Sequence, residues 1–528
     1  MMSLFSWAES FFSNNIVILP IAICLLMAPV MLFLREKPKV QKTSALFVSA
    51  LLLILSVFLF LMIYKNGILV YDIGEYGKYG IVLVGDMLSG LLVLLTAFIG
   101  FFVLIYSFDY IEKESLSKSY YPLYFLMFAG IFGIFLTGDL FNLFVFFEIM
   151  FLSSAGLIMA NESLTLTDSA HKLEATYKYL VLGMLGSFMM LVAIVSIYAS
   201  VGSLNMADLS AKIQLIAESG SFSWVIVASA LLFIVVFGNK AALFPLHFWL
   251  PDVHPTAPTP ISALLSGILI KIGAYCILRV LFLVLLPAKS FFLPILMFFS
   301  LLTIAVGAIS AVGQTDLKRV LAYSSVSQIG YVLLGFSFGT VGAIAAAIMY
   351  LVNHALAKSM LFLTAGGIIH EKRTRDLRQM GGLITVLPLF SAAFLIGAMS
   401  IAGLPPMGGF VSKFALFQSA VSGEFWWPLM IAVFMAVITI FYMFRTWIAI
   451  FWGESRSQEG EEDRDALSLM PKRHKISLEI ALPIAALCAA VIFLGLYPEP
   501  LYDISNMIAT QILDPTEYIT AVLGGAPR

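Results

Sequence analysis

The chain has 528 residues, of which 61% are hydrophobic and 12% are charged, and its formal net charge is -1. Soluble domains carry about 25% charged residues, so this composition excludes a soluble globule and indicates a polytopic protein of the lipid bilayer. No basic stripe accompanies the near-zero net charge, so we expect no nucleic-acid partner.

Apolar runs of about 20 residues, the length of a membrane-spanning helix, occur 14 times. The runs are continuous rather than alternating, which predicts an all-α fold and not a transmembrane barrel. The first run has neither a basic segment before it nor a clear cleavage pattern after it, so we expect a helix and not a signal peptide. The predicted spans lie near residues 15–34, 43–64, 83–107, 121–137, 140–160, 177–200, 222–247, 260–284, 291–312, 320–338, 341–369, 383–420, 427–453 and 476–497.

The basic residues predict the orientation of these spans. The loops after odd-numbered spans hold 19 of the 30 Lys and Arg residues. The loops after even-numbered spans and the two tails hold six, including Arg279 at a helix end. By the positive-inside rule the odd loops are cytoplasmic, so both termini are expected to face outward from a cell membrane.

Two spans contain residues that break a helix. Pro245 follows Lys240 in the seventh span, and Pro405 and Pro406 precede Lys413 in the twelfth. Proline removes a helical hydrogen bond and clashes with the preceding turn, so both spans are expected to be interrupted. Paired interruptions five spans apart predict an inverted-repeat transporter core with its site at the repeat interface.

This interpretation divides the chain into four parts. The first three helices occupy residues 1–120 and are followed by a first repeat of spans four to eight, residues 121–288. The second repeat, spans nine to thirteen, covers residues 289–453. Residues 454–528 supply a charged cytoplasmic linker, the last span and a short tail.

Five ionisable residues lie well inside apolar spans: Glu148, Lys240, Lys271, Lys358 and Lys413. Each such charge costs roughly 2.5 to 3.5 kcal/mol at the bilayer centre. Residues of this kind usually face the bundle interior and mark ion or proton pathways. We therefore expect these five side chains to form the functional site.

Glu148 and Lys240 are expected to act as a switch. Burial disfavours the charged form of each, whereas pairing favours both charged forms. A proton arriving on Glu148 would end the pairing and free Lys240 to release its own proton to the next acceptor. Lys271, Lys358 and Lys413 suit the continuation of that transfer, because a buried lysine can deprotonate and an arginine cannot.

His354 lies four residues before Lys358 and hence on the same face of a predicted helix. An imidazole there is suited to carrying protons between lysines. Cys24, Cys276 and Cys488 show no CxxC spacing and are expected to pack as small apolar residues. Without a phosphate-binding loop, a dinucleotide fingerprint or a bis-histidine pair, we expect neither a cofactor nor a metal site.

Residues 237–271, FGNKAALFPLHFWLPDVHPTAPTPISALLSGILIK, resemble the signature of the antiporter-like subunits shared by complex I and Mrp-type cation/proton antiporters. The runs TGDLFNLFVFFEIM at 137–150 and NHALAKSMLFL at 353–363 look most like the D-type subunit of the Mrp branch. The similarity covers about residues 83–453. It implies 14 helices, inverted repeats, two broken helices and a polar axis at mid-membrane.

The resemblance also implies roles for individual residues. Glu148 matches the family's glutamate, Lys240 its paired lysine, Lys271 its central lysine, and Lys413 its terminal lysine on the second broken helix. The implied partners are other membrane subunits of the same assembly, together with protons and a monovalent cation, expected to be Na⁺.

The predicted function is therefore an ion-translocating subunit of a multisubunit Mrp-type Na⁺/H⁺ antiporter, a transporter subunit and not itself an enzyme. The nearest alternative is a proton-pumping subunit of a redox-driven complex, of the membrane-bound hydrogenase or NADH:quinone oxidoreductase kind. The short stretch after the last span and a lysine at position 413 disfavour some complex I members. A quinone- or haem-binding redox enzyme and a stand-alone solute transporter are less favoured rivals.

Overall fold

A computed structural model describes residues 15–110, 119–160, 166–220, 223–453 and 476–524. Within these ranges, 11 helices are long and apolar enough to cross a membrane, and three shorter apolar helices join them. Each of the 14 predicted spans coincides with one of these helices or, at the twelfth, with a helix and the helix that follows its break. The predicted all-α fold is thus confirmed, whereas the charged linker at 454–475 lies outside the described residues.

The helices are numbered in chain order. The first half contains α1 Leu19–Phe33, α2 Pro38–Asn66, α3 Met87–Tyr110, α4 Tyr120–Leu136, α5 Leu140–Met159, α6 Leu166–Val201, α7 Met206–Glu218, α8 Trp224–Lys240, α9 Trp249–Thr256, α10 Thr259–Leu264 and α11 Ile270–Cys276. The second half contains α12 Lys289–Val312, α13 Leu317–Ser337, α14 Val341–Lys372, α15 Pro388–Ala402, α16 Gly408–Ser422, α17 Trp426–Phe451, α18 Leu478–Leu496, α19 Glu499–Leu513 and α20 Thr516–Leu523. Two π-helical segments, Leu265–Leu269 and Ile277–Val284, flank α11.

One end of the bundle carries the only strands of the described chain. Strands β1 Leu69–Ile73 and β2 Ile81–Gly85 form an antiparallel hairpin. The short amphipathic helix α7 and the C-terminal helix α20 pack against each other at this end, and α20 also contacts β1. We call this end the hairpin face, defined by β1, β2, α7, α19 and α20.

Both predicted helix breaks are present. Helix α8 ends at Lys240 and the chain resumes as α9 at Trp249, while α15 ends at Ala402 and α16 begins at Gly408. The freed backbone groups find side-chain partners: the Trp249 indole donates to the Asn239 carbonyl at 2.9 Å. The relation between the two halves as inverted repeats stays a prediction.

The innermost helices are almost completely covered by protein. The segment Thr259–Val284 is buried along its whole apolar window, and 94% of the window of α13 and 89% of that of α14 are buried. Gly273 lets α11 approach the broken end of α8, because a Cβ there would lie 2.5 Å from the Ala241 nitrogen. The central lysines therefore sit on the elements that are most remote from lipid.

Candidate functional site

Lys240 occupies the last position of α8, where the first break begins. Its side chain is 5% exposed, and its ammonium donates to the Tyr179 hydroxyl at 2.7 Å. Tyr179 in turn shares a 2.6 Å hydrogen bond with Ser154 of α5. The ammonium also lies 5.6 Å from the ring centre of Phe151, so neutral groups and π faces surround this charge.

Glu148 lies on α5 near Lys240 but does not form the expected direct ion pair. Its carboxylate accepts a hydrogen bond from Ser187 of α6, and its charge still acts on Lys240. Among the described residues, no ion pair within 4.0 Å joins the two groups. Their coupling in this conformation is therefore electrostatic, without a shared hydrogen bond.

Lys271 lies on α11, directly after a π-helical segment. Its ammonium donates to the Ser266 carbonyl, and the Ser266 hydroxyl lies 2.7 Å from the hydroxyl of Ser325 on α13. The wider π-helical turn frees backbone groups that an α-helix would use, a feature common at functional sites. Lys271 is thereby connected to the serine-rich middle of α13.

Lys358 on α14 reaches the same stretch of α13 from the other side. Its ammonium donates to the Leu321 carbonyl at 3.0 Å and to the Ser324 hydroxyl at 2.8 Å. The Ser325 hydroxyl donates to the same Leu321 carbonyl at 2.9 Å. One carbonyl of α13 thus connects the Lys271 side of the site to Lys358.

A second set of hydroxyl and amide groups continues from Ser324. The Tyr442 hydroxyl of α17 donates to Ser324 at 3.1 Å, and the Gln328 amide donates to Tyr442 at 3.4 Å. The Tyr350 hydroxyl donates to the Gln328 carbonyl oxygen at 2.5 Å. These residues carry the polar connection from Lys358 toward the second broken helix.

Lys413 lies on α16, just beyond the second break. Its ammonium donates to the Ile401 carbonyl at 2.8 Å, a carbonyl that the break leaves without a helical partner. The same ammonium lies 4.5 Å from the ring centre of Tyr331 and 5.4 Å from that of Tyr350. Each broken helix thus ends beside a buried lysine.

Three of the predicted lysines are therefore joined by hydrogen bonds and ring contacts through α13. We call this set the polar seam, and its members are Lys271, Ser266, Ser325, Lys358, Ser324, Tyr442, Gln328, Tyr350 and Lys413. Among the described residues, no hydrogen bond connects Lys240 and Tyr179 to the seam. The structure therefore places the predicted residues in two groups, one around Lys240 and one along the seam.

His354 lies on α14 between the lysines of the seam. It is 1% exposed, its ring stacks on that of Tyr350, and the charges of Lys271, Lys358 and Lys413 all act on it. Neither ring nitrogen has a hydrogen-bond partner within the described chain. A buried imidazole with both nitrogens unpartnered retains its capacity to donate and accept.

Sequence reasoning missed a second buried imidazole. His254 of α9 is fully buried, stacks on Phe362 and has no hydrogen-bond partner on either nitrogen among the described residues. Lys318, one of the 19 basic residues predicted to lie in loops after odd-numbered spans, is also buried and donates to the Ala257 carbonyl at 2.8 Å. The sequence signal for His254 was its place two residues after Asp252 in the motif that carried the family resemblance.

Arg279 lies near the end of its helical run, Thr259–Val284, as predicted, but its side chain is buried inside the protein. Arg279 lies in the π-helical segment Ile277–Val284, is 3% exposed, and forms a two-pronged ion pair with Asp86, with nitrogen–oxygen distances of 2.5 and 2.8 Å. Asp86 accepts a hydrogen bond from the Ser89 backbone at the start of α3, but its main partner is Arg279, 193 residues away.

Three comparisons place the chain among known proteins. The family described as NADH:quinone oxidoreductase/Mrp antiporter, transmembrane, matches residues 137–439. The chain is 37% identical over 511 residues to the D subunit of the Na(+)/H(+) antiporter of Alkalihalophilus pseudofirmus, and the alignment covers 97% of this chain and 99% of that relative. It is also 36% identical over 445 residues to the N subunit of the NADH-quinone oxidoreductase of Desulforudis audaxviator, with 83% and 86% covered.

A chain of the Mrp complex from Dietzia sp. DQ12-45-1b has the same fold, with a TM-score of 0.86 at 29% identity. That alignment covers 97% of this chain and 99% of the other. The predicted family resemblance is therefore confirmed over nearly the whole length. The chain belongs to the NADH:quinone oxidoreductase/Mrp antiporter transmembrane family.

Proposed function

We propose that this chain is the D-type, ion-translocating subunit of a multisubunit Na⁺/H⁺ antiporter. In this role protons enter near Glu148 and Lys240 and are relayed through Lys271, Lys358 and His354 to Lys413. The full-length similarity to the D subunit of an antiporter supports this role. The partners are then other membrane subunits, which couple the proton movement to a monovalent cation.

The observation that carries this proposal is the chemistry around the lysines. Among the ion pairs of the described residues, none involves Lys240, Lys271, Lys358 or Lys413, although each is at most 5% exposed. Their partners are carbonyls, hydroxyls and aromatic faces, and a hydroxyl can donate to a neutral amine as well as accept from an ammonium. Such surroundings suit a group that changes its protonation state.

The decisive experiment measures cation-dependent proton antiport in membrane vesicles that contain the whole complex. Glu148→Gln and Lys240→Ala should each abolish antiport while the complex still assembles. Lys65→Ala is the control, because Lys65 is an exposed lysine at the end of α2. Full antiport in an assembled Glu148→Gln or Lys240→Ala complex would disprove the relay.

A proton-pumping subunit of a redox-driven complex is the second candidate. It is favoured by the 36% identity to the N subunit of an NADH-quinone oxidoreductase. The proteins that co-purify with the chain distinguish the two. Iron–sulfur or hydrogenase partners would support the redox-driven complex, and small membrane proteins alone would support the antiporter.

We also propose that the hairpin face is external, in a plasma membrane, with both termini outside. The support is the excess of basic residues in the loops at the opposite end. The asymmetry remains when the buried residues are left out, because burial within the described residues removes Arg279 from the external set and only Lys172 and Lys318 from the larger one. Labelling of single cysteines in intact cells tests the orientation: a cysteine in the β1–β2 turn should react with an impermeant reagent.

A further inference from the structure

The Asp86–Arg279 ion pair lies where the lysine-bearing helices reach the hairpin face. Asp86 precedes α3 directly after β2, and Arg279 comes from the π-helical segment after α11. The Arg279 guanidinium donates hydrogen bonds to both carboxylate oxygens of Asp86, at 2.5 and 2.8 Å, and both side chains are almost fully buried. It is the most buried ion pair among the described residues, and the relay of the proposed function does not use it.

The pair lies on the same helical run as Lys271, and Cys276 places it near Lys240. Tyr275 lies four residues after Lys271 and four before Arg279, and its hydroxyl accepts from the Arg279 Nε at 3.0 Å. That hydroxyl donates to the Phe135 carbonyl near the end of α4, at 2.8 Å. Cys276 lies close enough to both Lys240 and Arg279 to interact with the charge of each.

A cavity on the hairpin face opens onto the other side of the pair. Asp86 and Arg279 line it together with Leu283, Gln511 and Tyr518, the last two from the C-terminal helices α19 and α20. The Tyr518 ring centre lies 5.5 Å from the guanidinium carbon. The Tyr518 hydroxyl is buried without a hydrogen-bond partner among the described residues, so it offers a free polar group beside the ion pair.

We propose that the Asp86–Arg279 pair is the gate between the lysines and water on the hairpin face. This inference rests on the proposed function, because a gate needs a pathway behind it. Asp86 and Arg279 are positioning residues here, since they control access without themselves relaying the proton.

The chemistry of the pair explains why it suits a gate. Arginine stays protonated, so the pair does not break through loss of a proton from Arg279. While the two-pronged ion pair is formed, the Arg279 guanidinium is fixed in place and both oxygens of the Asp86 carboxylate accept hydrogen bonds from it. When the ion pair opens, two side chains that line the cavity can serve as alternative partners: the Gln511 amide, whose nitrogen now donates to Glu517, and the unpartnered hydroxyl of Tyr518.

The test is the passive proton permeability of vesicles that contain the whole complex. The double variant Asp86→Asn/Arg279→Gln removes both charges and keeps a polar side chain at each position, of the same size at 86 and shorter at 279. It should assemble, leak protons at least several-fold faster than the native complex, and show reduced coupled antiport. Addition of Lys271→Ala to this variant should remove the leak, because protons could then no longer reach the open gate through Lys271.

The matched control is Asp208→Asn/Lys212→Gln. This pair lies on α7 of the same face, has a nitrogen–oxygen distance of 2.7 Å and is much more exposed at Lys212. It receives similar neutralising substitutions but does not line the cavity. Its leak and antiport should match those of the native complex.

A milder variant, Arg279→Lys, keeps the charge but loses the two-pronged geometry, and should leak at an intermediate rate. An assembled double variant or Arg279→Lys complex with native leak and antiport would overturn the gate. Failure of both variants to assemble would also overturn the gate, because the Asp86–Arg279 pair would then be required for folding and could not open in the native complex. The relay itself is judged separately by Lys240→Ala, whose loss of antiport would stand even if the gate were disproved.

Discussion

Arg279 and the lysines of the polar seam are buried cations with opposite surroundings. Arg279 has a carboxylate at 2.5 and 2.8 Å, whereas the hydrogen-bond partners of Lys358 within the described ranges are the Leu321 carbonyl and the Ser324 hydroxyl. A full counter-charge stabilises the protonated form of its partner at all physiological pH values. Neutral partners leave the balance between the two protonation states open, and this is what a proton relay needs.

The residue types agree with this difference. Arginine does not deprotonate in proteins, so it is suited to a permanent pair, while lysine deprotonates readily when buried. A buried pair and a buried single charge should therefore respond differently to neutral substitution. The following variants use that difference, beginning with the largest expected effect.

Arg279→Met should destabilise the protein strongly. It leaves the Asp86 carboxylate buried without its counter-charge, and breaking a buried pair in this way costs about 3–5 kcal/mol. The measurement is the thermal unfolding midpoint of the complex in detergent, with Asp86→Asn/Arg279→Gln as the control that removes both charges. A midpoint for Arg279→Met equal to that of the native complex would show that Asp86 finds another partner.

Lys358→Met should abolish antiport without a loss of stability. No carboxylate is left behind, the Ser324 hydroxyl still accepts from Tyr442, and the Leu321 carbonyl still accepts from Ser325. Loss of a group that transfers protons reduces rates by about 100-fold or more. Antiport and unfolding should both be measured on the same preparation: a large fall in stability would mean that Lys358 is structural.

The sequence predicted the fold and the buried lysines because both depend on local information. A proline in an apolar span predicts a break, and a lysine about ten residues from either end of a span must be buried or paired. These signals identified Lys240 and Lys413 beside the two breaks. They required no knowledge of which helices are neighbours.

The remaining features depend on contacts between distant parts of the chain. Arg279 stands near the end of an apolar run, so its sequence position is also that of a snorkelling residue, and its partner Asp86 precedes it by 193 residues. Ser324 and Tyr442 are residue types that occur in most membrane helices, and they gain meaning only when α13, α14 and α17 are packed together. For this reason the hydrogen bonds of the polar seam could not be predicted from the spacing of residues in the sequence.

Tyr442→Phe tests one of these long-range connections. It removes the hydroxyl that links Ser324 to Gln328, at 3.1 and 3.4 Å, and leaves the ring in place. One hydrogen bond is worth about 1 kcal/mol, so we expect antiport to fall about fivefold with little change in stability. Tyr106→Phe is the matched control, because the Tyr106 hydroxyl is equally buried but donates to the Leu363 carbonyl, outside the seam. Equal antiport in the two variants would remove Tyr442 from the relay.

Lys212→Gln should have the smallest effect, because the Lys212 side chain on α7 is 38% exposed, so water screens its charge, and Lys78 remains 4.0 Å from the Asp208 carboxylate. Burial alone would raise the pKa of Asp208, but the adjacent Lys212 ammonium and the Ser203 hydroxyl hold this pKa below its usual value. A lowered folded-state pKa stabilises the protein above the unfolded-state value, about 3.9, and this contribution is lost as the pH falls through the lower folded-state value. Exposed pairs contribute about 0.2–1 kcal/mol, so at neutral pH Lys212→Gln should lower the unfolding midpoint only slightly. As the pH falls through the folded-state pKa of Asp208, the native and variant midpoints should converge. A difference that persists at still lower pH would show that Lys212 acts through packing rather than charge.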